Sequence, residues 1–119
     1  MSYSDKIREV IDGADVALFM KGTPAFVMCG NSDRALQALR RAGSPVTAVD
    51  VLPDPAIRQE LSAISGWPTI PQVFVKGELV GGADIVEELE QSGVLEQTLR
   101  EKLGEDYAAA RDETTVALA

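Results

Sequence analysis

Val16-Ala17-Leu18-Phe19-Met20 is the stretch on which the fold turns. It is apolar without interruption and too short for a helix, so it reads as a strand buried on both faces. Downstream lie a loop with Gly22 and Pro24, then Cys29-Gly30-Asn31-Ser32, then a helix predicted from about Asp33 to Ala42. Leu36 and Leu39 mark its inner face, and Gly43 and Pro45 end it. Val46 to Val51 reads as a second strand, and a β-α-β unit of this length makes a parallel pair with a right-handed crossover. Upstream, Ile7, Val10 and Ile11 have helical spacing between Ser4 and Asp12, with Gly13 closing the helix.

The rest of the chain extends the same sheet. Asp54-Pro55 starts a helix whose buried face is Ile57, Leu61 and Ile64, and Gly66 stops it. Val73-Phe74-Val75 and Leu79-Val80 flank a Lys76-Gly77 turn and predict a hairpin. Asp84 with Glu87 has capping-box spacing for a helix through Leu89 to about Ser92, and Leu95, Leu99 and Leu103 predict one more. The order predicts an α/β domain over residues 1–104, a mixed four-stranded sheet with helices on both faces. Residues 105–119 are expected to form an acidic, alanine-rich, frayed tail.

Bulk composition narrows the chemistry. With 119 residues, 45% of them hydrophobic, the chain can bury one domain core without metals or disulfides. A net charge of −8 disfavours nucleic acid and anionic membrane as partners. No apolar run reaches the roughly 20 residues of a membrane span, and no basic-then-apolar leader opens the chain, so a cytoplasmic protein is expected. The sequence has no histidine, which argues against a Ser–His or Cys–His hydrolase. Its single cysteine excludes an internal disulfide.

Three places carry the candidate chemistry. Cys29 precedes a helix, where partial positive charge and free N–H groups favour a thiolate, and Lys21 ends the preceding strand. An inert, buried cysteine is the competing reading, and local sequence leaves the two even. Ser32 occupies the position at which a C-x-x-C protein keeps its resolving thiol, so an adduct on Cys29 would need an outside thiol; on the C-x-x-S spacing alone, Ser32 reads first as a simple helix cap. In Trp67-Pro68-Thr69-Ile70-Pro71, two prolines before a strand suggest a sharp turn, with a cis bond at Pro71, that would turn backbone groups of Ile70 toward a peptide-like ligand; a plain loop is the alternative. In Gly81-Gly82-Ala83-Asp84, the glycines permit close approach of a ligand, the N–H groups of Ala83 and Asp84 can hold a carboxylate, and the Asp84 side chain either holds an amine or caps its helix.

Taken in order, Lys21-Gly22-Thr23-Pro24, Cys29-Gly30-x-Ser32, Trp67-Pro68-Thr69-Ile70-Pro71-Gln72, Gly77-Glu78 and Gly81-Gly82-x-Asp84 resemble the monothiol glutaredoxin family from about Ser4 to Leu103. The resemblance implies a thioredoxin fold and glutathione binding. Under it Cys29 is the active thiol and cluster ligand. Lys21 and Arg58 meet the glycine carboxylate of glutathione, and Ile70, before Pro71, pairs with its cysteinyl backbone. Ala83 and Asp84 hold the γ-glutamyl end, Gly82 lets the ligand approach the backbone closely, and Trp67 borders the groove. The family's typical members carry a 2Fe–2S cluster between two subunits and deliver or sense clusters, often with a BolA-type partner. One thiolate per chain fits that role, because two chains and two glutathiones supply the four ligands such a cluster needs.

The chain departs from the family pattern at Asn31, usually Phe; at Val27, usually Pro; and at Ala83, often Cys or Ser. Loss of the aromatic at position 31 is expected to open the thiolate to water. Three functions compete: an iron–sulfur carrier that is a homodimer when loaded; a glutathione-dependent thiol–disulfide oxidoreductase that deglutathionylates proteins through a Cys29–glutathione disulfide; and a non-catalytic adaptor.

Overall fold

Strand β1 (Val16–Met20) lies at the centre of the sheet, and each of its side chains is buried. Alternation along it feeds two cores. Val16, Leu18 and Met20 enter one layer, and Ala17 and Phe19 enter the other. The computed structural model describes residues 1–119, apart from the side chain of Ala110.

Helix α1 (Tyr3–Gly13) is capped by Ser2, whose hydroxyl accepts from the Asp5 N–H at 3.1 Å. After β1, a small hairpin of β2 (Gly22–Thr23) and β3 (Phe26–Val27) leads into α2 (Gly30–Arg41) and then β4 (Val46–Asp50). Strands β1 and β4 are parallel, as the β-α-β reading requires. Helix α3 (Pro55–Ser65) begins at the predicted cap: the Asp54 carboxylate accepts from the Ala56 N–H at 3.0 Å. It ends at Gly66 in a left-handed conformation, φ 73°. Strands β5 (Gln72–Val75) and β6 (Glu78–Gly81) form the antiparallel hairpin. Lys76 and Gly77 both have positive φ, 49° and 82°, which a two-residue primed turn demands. Helices α4 (Ala83–Gln91) and α5 (Val94–Leu103) follow.

One core layer sets α2, α4 and α5 against the sheet through Leu36, Leu39, Val86, Leu95 and Leu99. The other sets α1 and α3 against it through Ile7, Ile11, Ile57 and Leu61. Phe19 and Phe74 meet there edge to face, ring centroids 5.7 Å apart. Helices thus cover both faces.

The sheet has five strands, in the order β6-β5-β1-β4-β7, where four were expected. The added strand, β7 (Glu113–Val116), pairs parallel with β4. The expectation of a frayed tail is therefore corrected. A 3-10 turn, Tyr107–Ala110, precedes β7, and the buried Tyr107 hydroxyl donates to the Ala42 carbonyl at 2.8 Å. Leu118 is buried in the α1/α3 layer. The acidic composition misled because β7 has exposed side chains at its first three positions and is held mainly by its backbone ladder.

Candidate functional site

The thiol sits where β1 runs out. The Lys21 N–H donates to the buried Ser32 hydroxyl at 3.0 Å, which ties the end of β1 to the first turn of α2. The Gly22 N–H donates to Asp50 Oδ1 at 2.9 Å, anchoring the loop to β4. Gly22 has φ +91°, and a Cβ there would lie 2.7 Å from the Met28 nitrogen, so only glycine fits. These ties deliver Cys29 to the N-cap position of α2 in extended conformation, partly exposed. Four donors or charges favour its thiolate. The backbone N–H of Ser32 is the largest influence, joined by the Asn31 N–H, the Ser32 hydroxyl and the Lys21 ammonium; partial burial opposes them, and the net effect is a pKa below the ordinary thiol value. The reading of Cys29 as an inert core residue does not hold for this geometry.

Ser32 is not the helix cap. That position belongs to Cys29, and the Ser32 hydroxyl instead serves the Lys21 backbone and the thiolate.

A cavity of about 310 Å³ opens beside this helix start. Asn31 lines it from the thiol side, Trp67, Ile70 and Pro71 from the turn before β5, and Gly82, Ala83 and Asp84 from the start of α4. The Ile70–Pro71 peptide is cis. The turn is held from within by Gln72, fully buried, whose side-chain nitrogen donates to the carbonyls of Trp67 at 3.0 Å and Thr69 at 3.2 Å. Gly82 permits the close fit, since a Cβ there would stand 3.3 Å from both the Trp67 indole nitrogen and the Pro71 carbonyl.

Six of the residues proposed from sequence therefore share one cavity: Trp67, Ile70, Pro71, Gly82, Ala83 and Asp84. Three lie outside its lining, Cys29 among them: the cavity reaches the start of α2 at Asn31, two residues beyond the thiol. Lys21 is half-buried at the end of β1, where its charge acts on Cys29, and Arg58 is exposed on α3.

The expected Asp84–Glu87 capping box does not form. Gly82 occupies the N-cap without a side-chain bond, and both carboxylates accept from Arg34 of α2 instead. Sequence reasoning missed Arg34. The available signal was helical spacing, because Asn31 and Arg34 are three residues apart, as are Asp84 and Glu87. Which helices would face each other was not legible.

A partly exposed thiol of lowered pKa at a helix start thus stands next to a cleft with a cis proline. The glutaredoxin family model matches residues 16–80. The chain belongs to the glutaredoxin family. Among its glutaredoxin relatives, glutaredoxin 4 of Haemophilus ducreyi is 45% identical over 101 residues, covering 85% of this chain and 94% of that protein. Monothiol glutaredoxin-S11 of rice is 49% identical over 100 residues, but the chain spans only 20% of that longer protein. Among solved glutaredoxins, a monomeric truncated mutant of Trypanosoma brucei 1-C-Grx1 superposes with a TM-score of 0.77 at 41% identity, covering 86% of this chain and 93% of that one. The glutaredoxin likeness thus reaches the monothiol branch and the thioredoxin fold. No helix among the described residues is long and apolar enough to cross a membrane.

Proposed function

We propose that the chain is a glutathione-binding monothiol glutaredoxin whose cargo is a 2Fe–2S cluster, held in a homodimer for transfer or sensing. The observation that carries this reading is Cys29 itself: a partly exposed thiol, favoured as thiolate, at the start of α2, with no second cysteine in the chain. Among the described residues no group of three or more His, Cys, Asp or Glu side chains could hold a metal ion. The donor set therefore fits a cluster only as half a site. A second copy supplies a second Cys29, and two glutathione thiolates complete the four ligands.

The groove supplies those thiols. Ile70, ahead of cis Pro71, pairs with the cysteinyl backbone of glutathione. Gly82, Ala83 and Asp84 take its γ-glutamyl end, and Lys21 and Arg58 take its glycine carboxylate. A BolA-type or iron–sulfur client protein is the expected recipient. Because half the ligands are exchangeable thiols, such a site favours release over permanent retention.

The lowered thiol pKa also supports a second reading, thiol–disulfide exchange. The Cys29 thiolate attacks the glutathione sulfur of a glutathionylated protein and expels the protein thiolate. A second glutathione thiolate then attacks the adduct, releasing glutathione disulfide and restoring Cys29. With Ser32 in place of a second cysteine, the outside thiol is obligatory.

Anaerobic reconstitution with iron, sulfide and glutathione, followed by visible absorption and gel filtration, tests the proposal. A coloured dimer is expected, with both colour and dimer lost in Cys29→Ser. A colourless protein that turns over glutathionylated substrate would replace the first reading by the second. A protein that does neither would leave the adaptor role.

A further inference from the structure

Arg34 is the most heavily engaged charged group near the cavity, and the family reading gives it no role. It rises from α2 toward α4. Its Nε and Nη2 donate to the two oxygens of Glu87 at 3.3 and 2.9 Å. Nη2 donates also to Asp84 Oδ1 at 2.8 Å, and Nη1 donates to Asn31 Oδ1 at 3.2 Å. Glu87 is the anchor, gripped at both oxygens with its side chain 28% exposed, whereas the Asp84 side chain is 89% exposed. Asn31 of α2 and Asp84 of α4 both line the cavity. Arg34 stands behind them and ties one to the other.

We propose that Arg34 is a positioning residue that sets which ligand ends the cavity accepts, by fixing the lining residues Asn31 and Asp84 relative to each other and offsetting the two carboxylates of α4. This rests on the glutathione-groove reading above and goes further by assigning a charge preference to one end of it. Without Arg34, Asp84 and Glu87 would present two uncompensated negative charges to an anionic tripeptide. With it, Asp84 keeps one oxygen for an ammonium group. Four of the five guanidinium N–H groups are engaged by Asn31, Asp84 and Glu87, so Arg34 acts on a bound ligand through those side chains and through its charge, which offsets the repulsion an α-carboxylate would otherwise meet. The favoured ligand end is therefore a zwitterion, ammonium with α-carboxylate, over one with ammonium alone.

The test is an NMR titration of the reduced, cluster-free chain with glutathione and with γ-aminobutyryl-cysteinyl-glycine, which lacks only the α-carboxylate of the first residue. The wild-type chain is expected to favour glutathione. Arg34→Ala should weaken glutathione about two- to fivefold, the range exposed charge contacts give, and move the analogue by less than about twofold. Arg34→Lys should recover part of the loss, because it restores charge without the fork. Arg34→Ala with Glu87→Gln should also recover part, because one repelling carboxylate is gone. Equal weakening of both ligands by Arg34→Ala, or no change in either, would overturn the proposal. A wild-type chain that binds glutathione without preferring it over the analogue would overturn it while leaving the groove intact. A wild-type chain that binds neither would overturn the groove reading and this inference with it.

Discussion

At the carboxyl end of β1, the surroundings of Cys29 are organised by polar contacts. The Lys21 N–H meets Ser32, the Gly22 N–H meets Asp50, and the thiolate is favoured by N–H groups of Asn31 and Ser32. At the outer edge of β4 the last residues of the chain are held differently. Strand β7 adds a backbone ladder, while Tyr107 and Leu118 bury apolar surface in opposite layers. The polar end keeps a reactive atom partly open, and the apolar edge closes the sheet. Chemistry and stability are thus assigned to different borders of one sheet, and they should be separable by mutation.

The largest effect is expected from deleting residues 105–119. Burial of Tyr107 and Leu118 contributes about 1.5–3 kcal/mol each, so the deletion should cost about 3–6 kcal/mol in urea unfolding. It also bares the edge of β4 to pairing with other chains. The pH profile of iodoacetamide labelling at Cys29 should not move. A shift in that profile would show that the two borders are coupled.

A smaller and opposite signature is expected from Ser32→Ala. It leaves the Lys21 N–H without its acceptor, at a cost of about 1–3 kcal/mol, and removes one donor from the thiolate. The labelling midpoint should rise toward the ordinary 9.0 without reaching it, because the Ser32 backbone N–H, the largest influence, remains. The sign of the linked stability follows. Cys29 loses its proton more readily folded than unfolded, so its contribution is complete above the ordinary thiol pKa and is lost as pH falls through the lower folded value. The stability gap between wild type and Cys29→Ser should therefore widen with pH up to about 9. A gap that narrows over that range would contradict the thiolate geometry.

The same contrast explains what was legible in the sequence. Val16–Met20, Asp54-Pro55 and the Lys76-Gly77 turn announced themselves because burial, capping and positive φ each demand particular residue types. Cys29, Ile70, Pro71 and Gly82 stood out for the same reason. Strand β7 did not. Glu113-Thr114-Thr115-Val116 has exposed side chains at three of its four positions, so no hydrophobic alternation marks it. The Arg34 network stayed hidden for a different reason: Asp84 and Glu87 have capping-box spacing, and only the packing of α2 on α4 diverts both carboxylates to a guanidinium. Local rules reveal what local geometry requires, whereas partners distant in sequence depend on which faces meet.

The finest test concerns the ion pair on the apolar edge. Arg40 of α2 donates through Nε and Nη2 to Glu113 of β7 at 2.6 and 2.7 Å. The hydrogen bonds from Arg40 hold the Glu113 carboxyl below its ordinary 4.5. Its folded-state affinity for a proton is lower than in the unfolded chain, so the stabilisation is present above the ordinary value and is lost as pH falls through the folded one. The two side chains remain 39% and 32% exposed, and solvent screening limits the contribution to less than about 1 kcal/mol. Glu113→Gln should therefore lower the urea midpoint slightly at pH 7 and by progressively less as the solution is acidified below the carboxylate range. An equal loss at both pH values would mean that Glu113 acts through packing against α2, and the apolar edge would then owe nothing to charge. A loss well above 1 kcal/mol would mean the reverse, that β7 is pinned by its ion pair more than by its ladder.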